Sequence, residues 1–241
     1  MRTAHRTPEM IILALLLLVA APTVWGQSAG QNVNMVSGTG WTNGDPFLQP
    51  QNEPSLAVST RNPIHLLAGA NDYRSVDIPN PNSPDERGDA WLGVFKSLDG
   101  RATWGSTLLP GYPQDQSAIG LASPLHGFTT AADPVVRAGT NGLFYYSGIA
   151  FNRGSNQGQI FVARFMDLNN QEGGDASQSL DPIRYIGVVP VDTGTSGQFL
   201  DKPWIAVDVP RGTATCTINV PQNGGTVTQT VPAGNIYAEP N

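Results

Sequence analysis

The sequence has little charge, and little of that charge is positive. Charged residues make up 13% of the 241 positions, about half the share found in an average soluble domain. Lys and Arg number 13 against 19 Asp and Glu, which gives a formal net charge of −6. Because a protein needs a basic surface to neutralise a phosphate backbone, this balance argues against nucleic acid as a partner.

Cysteine is almost absent, since Cys216 is the only one. A single cysteine excludes an internal disulfide, so the stability of the chain must come from its core and from strand pairing. We expect Cys216 to be a half-buried, unreactive thiol. The alternative is a surface thiol that forms an intermolecular bond.

Long apolar runs are also missing, and the longest one lies near the start, at residues 11–21. Eleven residues are too few to span a bilayer, which takes about 20. Arg2 and Arg6 precede the run, and the small residues Val24 and Gly26 follow it. This pattern predicts a signal peptide over residues 1–26, cleaved after Gly26, and a secreted or periplasmic protein without membrane attachment. An uncleaved N-terminal anchor is the alternative.

Turn-forming residues are abundant, because Gly (27) and Pro (20) together supply about a fifth of the chain. Both destabilise helix interiors, so the composition argues against an all-α protein. It fits an all-β fold of many short strands and tight turns. Residues 27–50 are polar and lack periodicity, which is typical of a linker or an irregular lead-in.

One strand opening recurs three times, each time with an acidic residue one or two positions before a proline. The openings are residues 53–58 (EPSLAV), 133–137 (DPVVR) and 201–208 (DKPWIAVD), and their prolines lie 80 and 69 positions apart. Proline is tolerated at the start of a strand, where its missing N–H group matters least. The chain therefore contains a structural repeat of about 70 to 80 residues.

Each of the first two repeats contains four apolar runs of strand length, and four is the number of strands in a β-propeller blade. We expect blades at about 51–130 and 131–198, and a third, truncated blade at 199–241. In the third, an insertion at 211–233 precedes a second strand that begins at Asn235. Because propellers have four to eight blades, we expect the sequence to be the N-terminal part of a longer chain. A β-sandwich is the structural rival.

One segment carries a recognisable motif, residues 97–104 (SLDGRATW), in the turn after the third strand. It resembles the Asp box, or BNR repeat, of the sialidase-like propellers, although Arg101 stands where that family has glycine. The resemblance implies a structural role, on the face opposite the ligand site, for the motif residues Ser97, Asp99, Gly100, Thr103 and Trp104.

The same resemblance directs attention to the residues that a sialidase would need. Family members hold the substrate carboxylate with three arginines, and alignment places Asn52 at the first of these positions. The other two arginines, the tyrosine nucleophile and its glutamate partner belong to later blades. The acid/base aspartate lies in the loop between the second and third strands, where the candidates are Asp72, Asp77, Asp85 and Asp89. Arg137 is a candidate ligand-binding residue, whereas Tyr145 and Tyr146 fit core packing.

Three functions remain open on this reasoning. The first is an exported, non-catalytic propeller that binds a glycan or an extracellular protein. The second is a retaining exo-sialidase, and the third is an adhesion or scaffold protein. Residues 167–173 resemble a calcium loop only faintly, since glycine falls one place late and no bidentate glutamate follows. We therefore expect no metal and no cofactor, and the sequence does not indicate an oligomeric state.

Overall fold

The structure, a computed structural model, describes residues 32–36, 50–77, 89–155, 157–169, 181–194, 199–222 and 225–239. These residues form an all-β protein of antiparallel sheets, as the composition predicts. The predicted signal peptide and most of the lead-in lie outside them. Within the described ranges the only α-helix, α1, spans Ala118–Leu121, and two 3-10 helices span Tyr73–Asp77 and Thr140–Gly142. None of the described helices is both long and apolar enough to cross a bilayer.

The first sheet is a four-stranded meander in which each strand pairs with the next one along the chain. Its strands are β1 (Gln51–Val58), β2 (Leu66–Asp72), β3 (Trp91–Ser97) and β4 (Gly105–Leu108). The middle strands β2 and β3 are apolar and almost wholly buried, whereas β1 alternates between exposed and half-buried residues. This pattern is that of a sheet covered on both faces at its centre.

The second sheet repeats the same order, β5-β6-β7-β8. Its strands are β5 (Thr130–Ala138), β6 (Leu143–Phe151), β7 (Gly158–Asp167) and β8 (Ile183–Thr193). Tyr146 of β6 is fully buried, as expected for core packing, whereas Tyr145 is half-buried. The Tyr146 hydroxyl donates a hydrogen bond of 2.9 Å to the Gly93 carbonyl oxygen and so joins the two sheets.

A third sheet contains two strands that are far apart in sequence. Strand β9 (Trp204–Val207) pairs with β12 (Ile236–Glu239), which is the strand predicted to start near Asn235. The insertion between them is a hairpin of β10 (Thr215–Gln222) and β11 (Gly225–Pro232).

The hairpin packs on the second sheet. Val220 and Val231 lie in one buried cluster with Leu143 and Met166. Cys216 lies near the start of β10 and is exposed, so the prediction of a half-buried thiol is wrong. Its cross-strand neighbour Val231 is buried against the second sheet, so the packing of the hairpin covers the valine and not the thiol.

The three repeated openings share an unusual backbone conformation. Glu53, Asp133 and Lys202 have φ angles of 52°, 59° and 39°, and each directly precedes a proline. In the first two sheets the strand register shifts at this point. Left-handed conformations are uncommon outside glycine and typically cost about 1–3 kcal/mol each. Such strain persists only where the surrounding structure holds it, and it concentrates at functional sites.

Candidate functional site

The strand registers bring several chain segments to one end of the first sheet. Gln51, at the start of β1, lies opposite Asp72 at the end of β2, and Asp72 lies opposite Trp91 at the start of β3. The strand openings and the loop between β2 and β3 therefore share this end, which we call the opening end. The turn between β3 and β4 lies at the other end. It contains residues 97–104, the segment that resembles the Asp box, which we call the Asp-box motif.

Three residues from three different sheets meet at the opening end. The Lys202 ammonium lies 2.8 Å from Glu53 Oε1 and 3.7 Å from Asp133 Oδ1. The Lys202 backbone N–H group also donates to Asp133 Oδ2 at 3.3 Å. We call Glu53, Asp133 and Lys202 the opening cluster. Each is the residue before the proline of its repeat, so the left-handed backbone brings equivalent positions together.

The two carboxyl groups of the opening cluster have opposite pKa shifts. Burial and a hydrogen bond with the Glu53 carboxyl raise the pKa of Asp133 to about 6. The hydrogen bond from Lys202 lowers the pKa of Glu53, and the same contact raises the pKa of Lys202. Two adjacent carboxylates disfavour double ionisation, so Asp133 takes up the proton that the pair retains in mild acid.

A cavity of about 540 Å³ lies at this cluster. Its lining comes from all three openings: Glu53, Pro54, Asp133, Pro134, Val135, Lys202, Pro203 and Trp204. The Trp204 side chain is 64% exposed, which is unusual for so large an apolar ring. An exposed aromatic ring beside fixed polar groups is the composition of a ligand site.

Arg137, the candidate ligand-binding residue, lies against Trp204. Its guanidinium carbon is 4.7 Å from the centroid of the Trp204 ring, and its Nη1 donates to the Val136 carbonyl oxygen at 2.9 Å. This is a cation–π contact between the second and third sheets. It fixes the Trp204 ring from one side.

Asn52, which the resemblance to sialidases would place at an arginine position, accepts a hydrogen bond from a neighbouring amide. The Asn71 side chain donates to Asn52 Oδ1 at 2.8 Å, and Asn71 Oδ1 accepts from the Asp133 backbone N–H at 2.8 Å. The two amides therefore hold the opening of β5 against the first sheet. A neutral amide cannot supply the charged, bidentate pairing that guanidinium gives to a carboxylate.

The loop carboxylates proposed as acid/base candidates have structural partners where they are described. Asp72 is fully buried, and the Arg74 Nε atom donates to both of its oxygens at 3.0 and 2.9 Å. Asp89 pairs with Arg153 and accepts from the Thr130 hydroxyl at 3.1 Å. Although burial alone would raise the pKa of Asp89, Arg153 and the Ala90 N–H outweigh it and lower that pKa. The Asp77 side chain and all of Asp85 lie outside the described residues.

The Asp-box motif forms a closed hydrogen-bonded turn at the far end of the first sheet. Asp99 Oδ1 accepts from the Thr103 N–H at 2.9 Å, and Asp99 Oδ2 accepts from the Thr103 hydroxyl at 2.6 Å. These bonds from Thr103 lower the pKa of Asp99. Ser97 Oγ donates to Asp99 and accepts from the Arg101 N–H. Gly100 and Arg101 both have positive φ, so arginine adopts here the conformation that glycine usually supplies.

Trp104, the last residue of the motif, is 7% exposed and packs with Phe95, Ala68 and Ala70. The motif thus closes the β3–β4 turn on one side and fills the core on the other.

Another polar network, also away from the opening end, is buried. Asp167 Oδ2 accepts from Ser59 Oγ at 2.7 Å and lies 3.0 Å from His65 Nδ1, and all three side chains are buried. The Ser59 hydroxyl donates to the aspartate, and Ser59 meets His65 only through the backbone bond from its N–H to the His65 carbonyl oxygen at 2.9 Å. The trio therefore lacks the side-chain contact between nucleophile and base that a hydrolase needs. It ties the turn after β1 to the end of β7.

Comparison with known proteins gives no assignment: no family model matches the chain, and a search of curated proteins finds no match. The site therefore rests on the geometry of this chain. The sequence identifies the three proline-containing openings as strand starts, but it does not indicate that the residues before the prolines converge. The signal was the repetition itself, since equivalent positions of adjacent repeats lie side by side.

Proposed function

We propose that the chain is an exported, sialidase-like Asp-box β-propeller whose opening end binds glycan without catalysis. In this proposal the first and second sheets are blades, and β9 and β12 are the inner strands of a third. The single observation that carries the binding function is the exposed Trp204 ring beside the opening cluster.

Support for a propeller comes from the first strands of the three sheets. The Val136 N–H of β5 donates to Ser55 Oγ of β1 at 2.9 Å. Val135 of β5 in turn packs with Ile205 of β9. First strands that lie side by side, each at the start of its own antiparallel sheet, are what a radial arrangement of blades would require.

Support for a glycan comes from the pairing of an apolar ring with fixed polar groups. One face of a sugar ring presents C–H bonds, which stack on an indole, while its edge presents hydroxyl groups. Trp204 offers the indole, and the carboxylates of Glu53 and Asp133 accept hydrogen bonds from hydroxyls within the same cavity. A few converging polar groups on an apolar surface give orientation and specificity.

The described side chains favour binding over sialidase chemistry. Asp72 is fully buried, and both of its oxygens accept hydrogen bonds from Arg74, so it does not face a substrate. Arg153 and the Ala90 N–H lower the pKa of Asp89, so this carboxyl stays ionised and does not suit a general acid. A general acid needs a pKa close to the working pH. Burial raises the pKa of Tyr146 well above its ordinary value, which keeps this hydroxyl protonated in the core.

A glycan array followed by isothermal titration calorimetry tests the proposal. We expect Trp204→Ala to weaken binding of the captured glycan by about tenfold or more, because the stacking surface is lost. Phe199→Ala is the matched control, since Phe199 is also an exposed aromatic, 54% accessible, but does not line the cavity. An array that captures no glycan rejects this function and favours the scaffold alternative.

A further inference from the structure

The charge around Trp204 is unbalanced toward the acidic side. Glu53 and Asp133 line the cavity, and Asp201 Oδ1 accepts from the Lys202 N–H at 3.0 Å. Glu239 lies directly opposite Trp204 in the β9–β12 ladder, so its side chain is on the same face of the sheet. Two carboxyl groups therefore line the cavity with the indole, and two more belong to the residues next to the cluster and opposite the ring.

The two cations at this place are already engaged. Lys202 bonds to Glu53 at 2.8 Å, and Arg137 covers one side of Trp204 while donating to the Val136 carbonyl oxygen. Among the described residues that line the cavity, Lys202 is the only cation, so an incoming sialate, sulfate or phosphate would meet the two carboxylates together with a lysine already bonded to them. Like charges at short distance repel, so the cavity disfavours acidic sugars and attracts cationic ones.

Lys202 itself shows that the carboxyl pair accepts an ammonium group. Its Nζ atom lies within 4 Å of both Glu53 and Asp133. The Lys202 side chain is 55% exposed, so it has room to move aside. A primary amine on a ligand can take the same place and form the same charge-assisted bonds.

A second aromatic ring extends the surface beyond one sugar. Tyr237 lies opposite Ala206 in the β9–β12 ladder, one diagonal step from Trp204 and on the same face. Diagonal neighbours across a ladder are within reach of aromatic side chains. The Tyr237 side chain is 60% exposed, so the two rings together offer stacking positions to consecutive sugars.

We propose that this site binds an oligosaccharide of hexosamine units with free amino groups, in preference to the N-acetylated form and to acidic sugars. The inference rests on the proposed glycan-binding function and specifies its ligand class. One sugar stacks on Trp204 with its ammonium at Glu53 and Asp133, and a neighbouring sugar stacks on Tyr237.

Calorimetry with three matched ligands tests the inference: a glucosamine hexasaccharide, its fully N-acetylated counterpart and a sialylated oligosaccharide. At about pH 6, where the amines are largely protonated, we expect the first to bind roughly tenfold tighter than the second. The third should bind weakest. Added salt should weaken the first ligand and leave the second nearly unchanged, because only the first is held by charge.

Variants assign the preference to the site. We expect Glu53→Gln to remove most of the preference for the free-amino ligand over the N-acetylated form, because the charged bond to the ammonium is lost. Tyr237→Ala should weaken both hexasaccharides. Asp192→Asn is the charge-matched control, since Asp192 is an exposed carboxylate on β8 that does not line the cavity.

The possible outcomes distinguish a failure of this inference from a failure of the proposed glycan-binding function. Equal affinity for the two hexasaccharides, with both still dependent on Trp204, overturns the ligand class and leaves the glycan-binding function intact. A preference that Glu53→Gln does not reduce places the amine elsewhere and also overturns the inference. Failure of all three ligands to bind, with no capture on the array, overturns both.

Discussion

The Lys202 ammonium lies 2.8 Å from Glu53 Oε1, which bonds the residue that opens the third sheet to the one that opens the first. Asp133, which opens the second sheet, lies against both. Three repeats are therefore joined through one acid–base cluster, whose net charge depends on a single proton.

This arrangement predicts a pH dependence of stability that is opposite to the usual effect of a paired aspartate. Asp133 has a folded-state pKa of about 6, raised above its ordinary value of 3.8. A raised pKa means that the folded state holds the proton more tightly than the unfolded chain. The stabilisation is therefore complete below about pH 4 and is lost as the pH rises through about 6.

Urea unfolding at a series of pH values measures this effect. The free energy of unfolding of the wild type, minus that of Asp133→Asn, should fall steadily between about pH 4 and pH 7. Subtracting the variant removes the contribution of other groups, such as Asp89 and Asp99, whose lowered pKa values act in the opposite direction. A difference that stays flat or rises across this range contradicts the assignment.

Trp104→Ala should lower the free energy of unfolding by about 3–5 kcal/mol, because it removes a large buried ring from the core. The chain offers a matched control in Trp204→Ala. Trp104 is 7% exposed and Trp204 is 64% exposed, so the same chemical change should be much less destabilising at the second position. Thermal and urea unfolding of the two variants compare them directly. Similar losses at both sites would mean that the Asp-box tryptophan is not the anchor of its turn.

Gly69→Ala should destabilise the protein by about 1–3 kcal/mol through overpacking. A Cβ atom at Gly69 would lie 2.5 Å from the Tyr146 hydroxyl oxygen and 2.6 Å from its ring carbons. Tyr146 has little freedom to move, since it is fully buried and bonded to Gly93. Gly105→Ala, in the same sheet, is the control, because its nearest contact is 3.9 Å away. Circular dichroism melts should show a lowered Tm for the first variant only.

The purified protein should release no product above background from a fluorogenic sialoside. Asn52 is bonded to Asn71 and offers no cation to the substrate carboxylate, while Asp72 and Asp89 are paired with Arg74 and Arg153. Losing a charged hydrogen bond to an anion costs about 1.5–3 kcal/mol. Turnover that Asp89→Asn abolishes would reverse this interpretation and assign catalysis to the chain.

N-terminal sequencing of the exported protein should begin near Gln27. The charged start, the short apolar run and the small residues Val24 and Gly26 predict cleavage at this point. Recovery of intact Met1 on the exported protein would instead favour the uncleaved anchor.

Much of the strand layout could be predicted from the sequence, because strands are encoded locally. Runs of apolar residues between turn formers fix β2, β3, β6 and β7, and the acid-proline pairs mark the starts of first strands. The apolar pattern of the residues after Asn235 also predicts β12, the second strand of the third sheet. These features depend on periodicity and turn chemistry within a few residues.

The burial of individual residues and the geometry of the candidate site depend on contacts between distant residues, which the local pattern of a sequence does not show. The sequence places Asp72 in a loop as an acid/base candidate, yet it is the last residue of β2 and is fully buried against Arg74. Cys216 is predicted to be half-buried, yet its thiol is exposed although Val231, directly opposite in the hairpin, is buried. The opening cluster requires three backbone segments with positive φ to converge, and the residue types at these positions do not indicate that geometry.

The β10–β11 hairpin has a consequence for the order in which the chain assembles. Pairing β9 with β12 closes a loop that spans residues 208–235, which is entropically unfavourable while that loop is unstructured. The hairpin folds locally and docks on Leu143 and Met166 of the second sheet, which shortens the effective loop. We therefore expect folding to run from the second sheet through the hairpin to the third sheet. In native-state hydrogen exchange, the β9–β12 amides should open before those of β6 and β7.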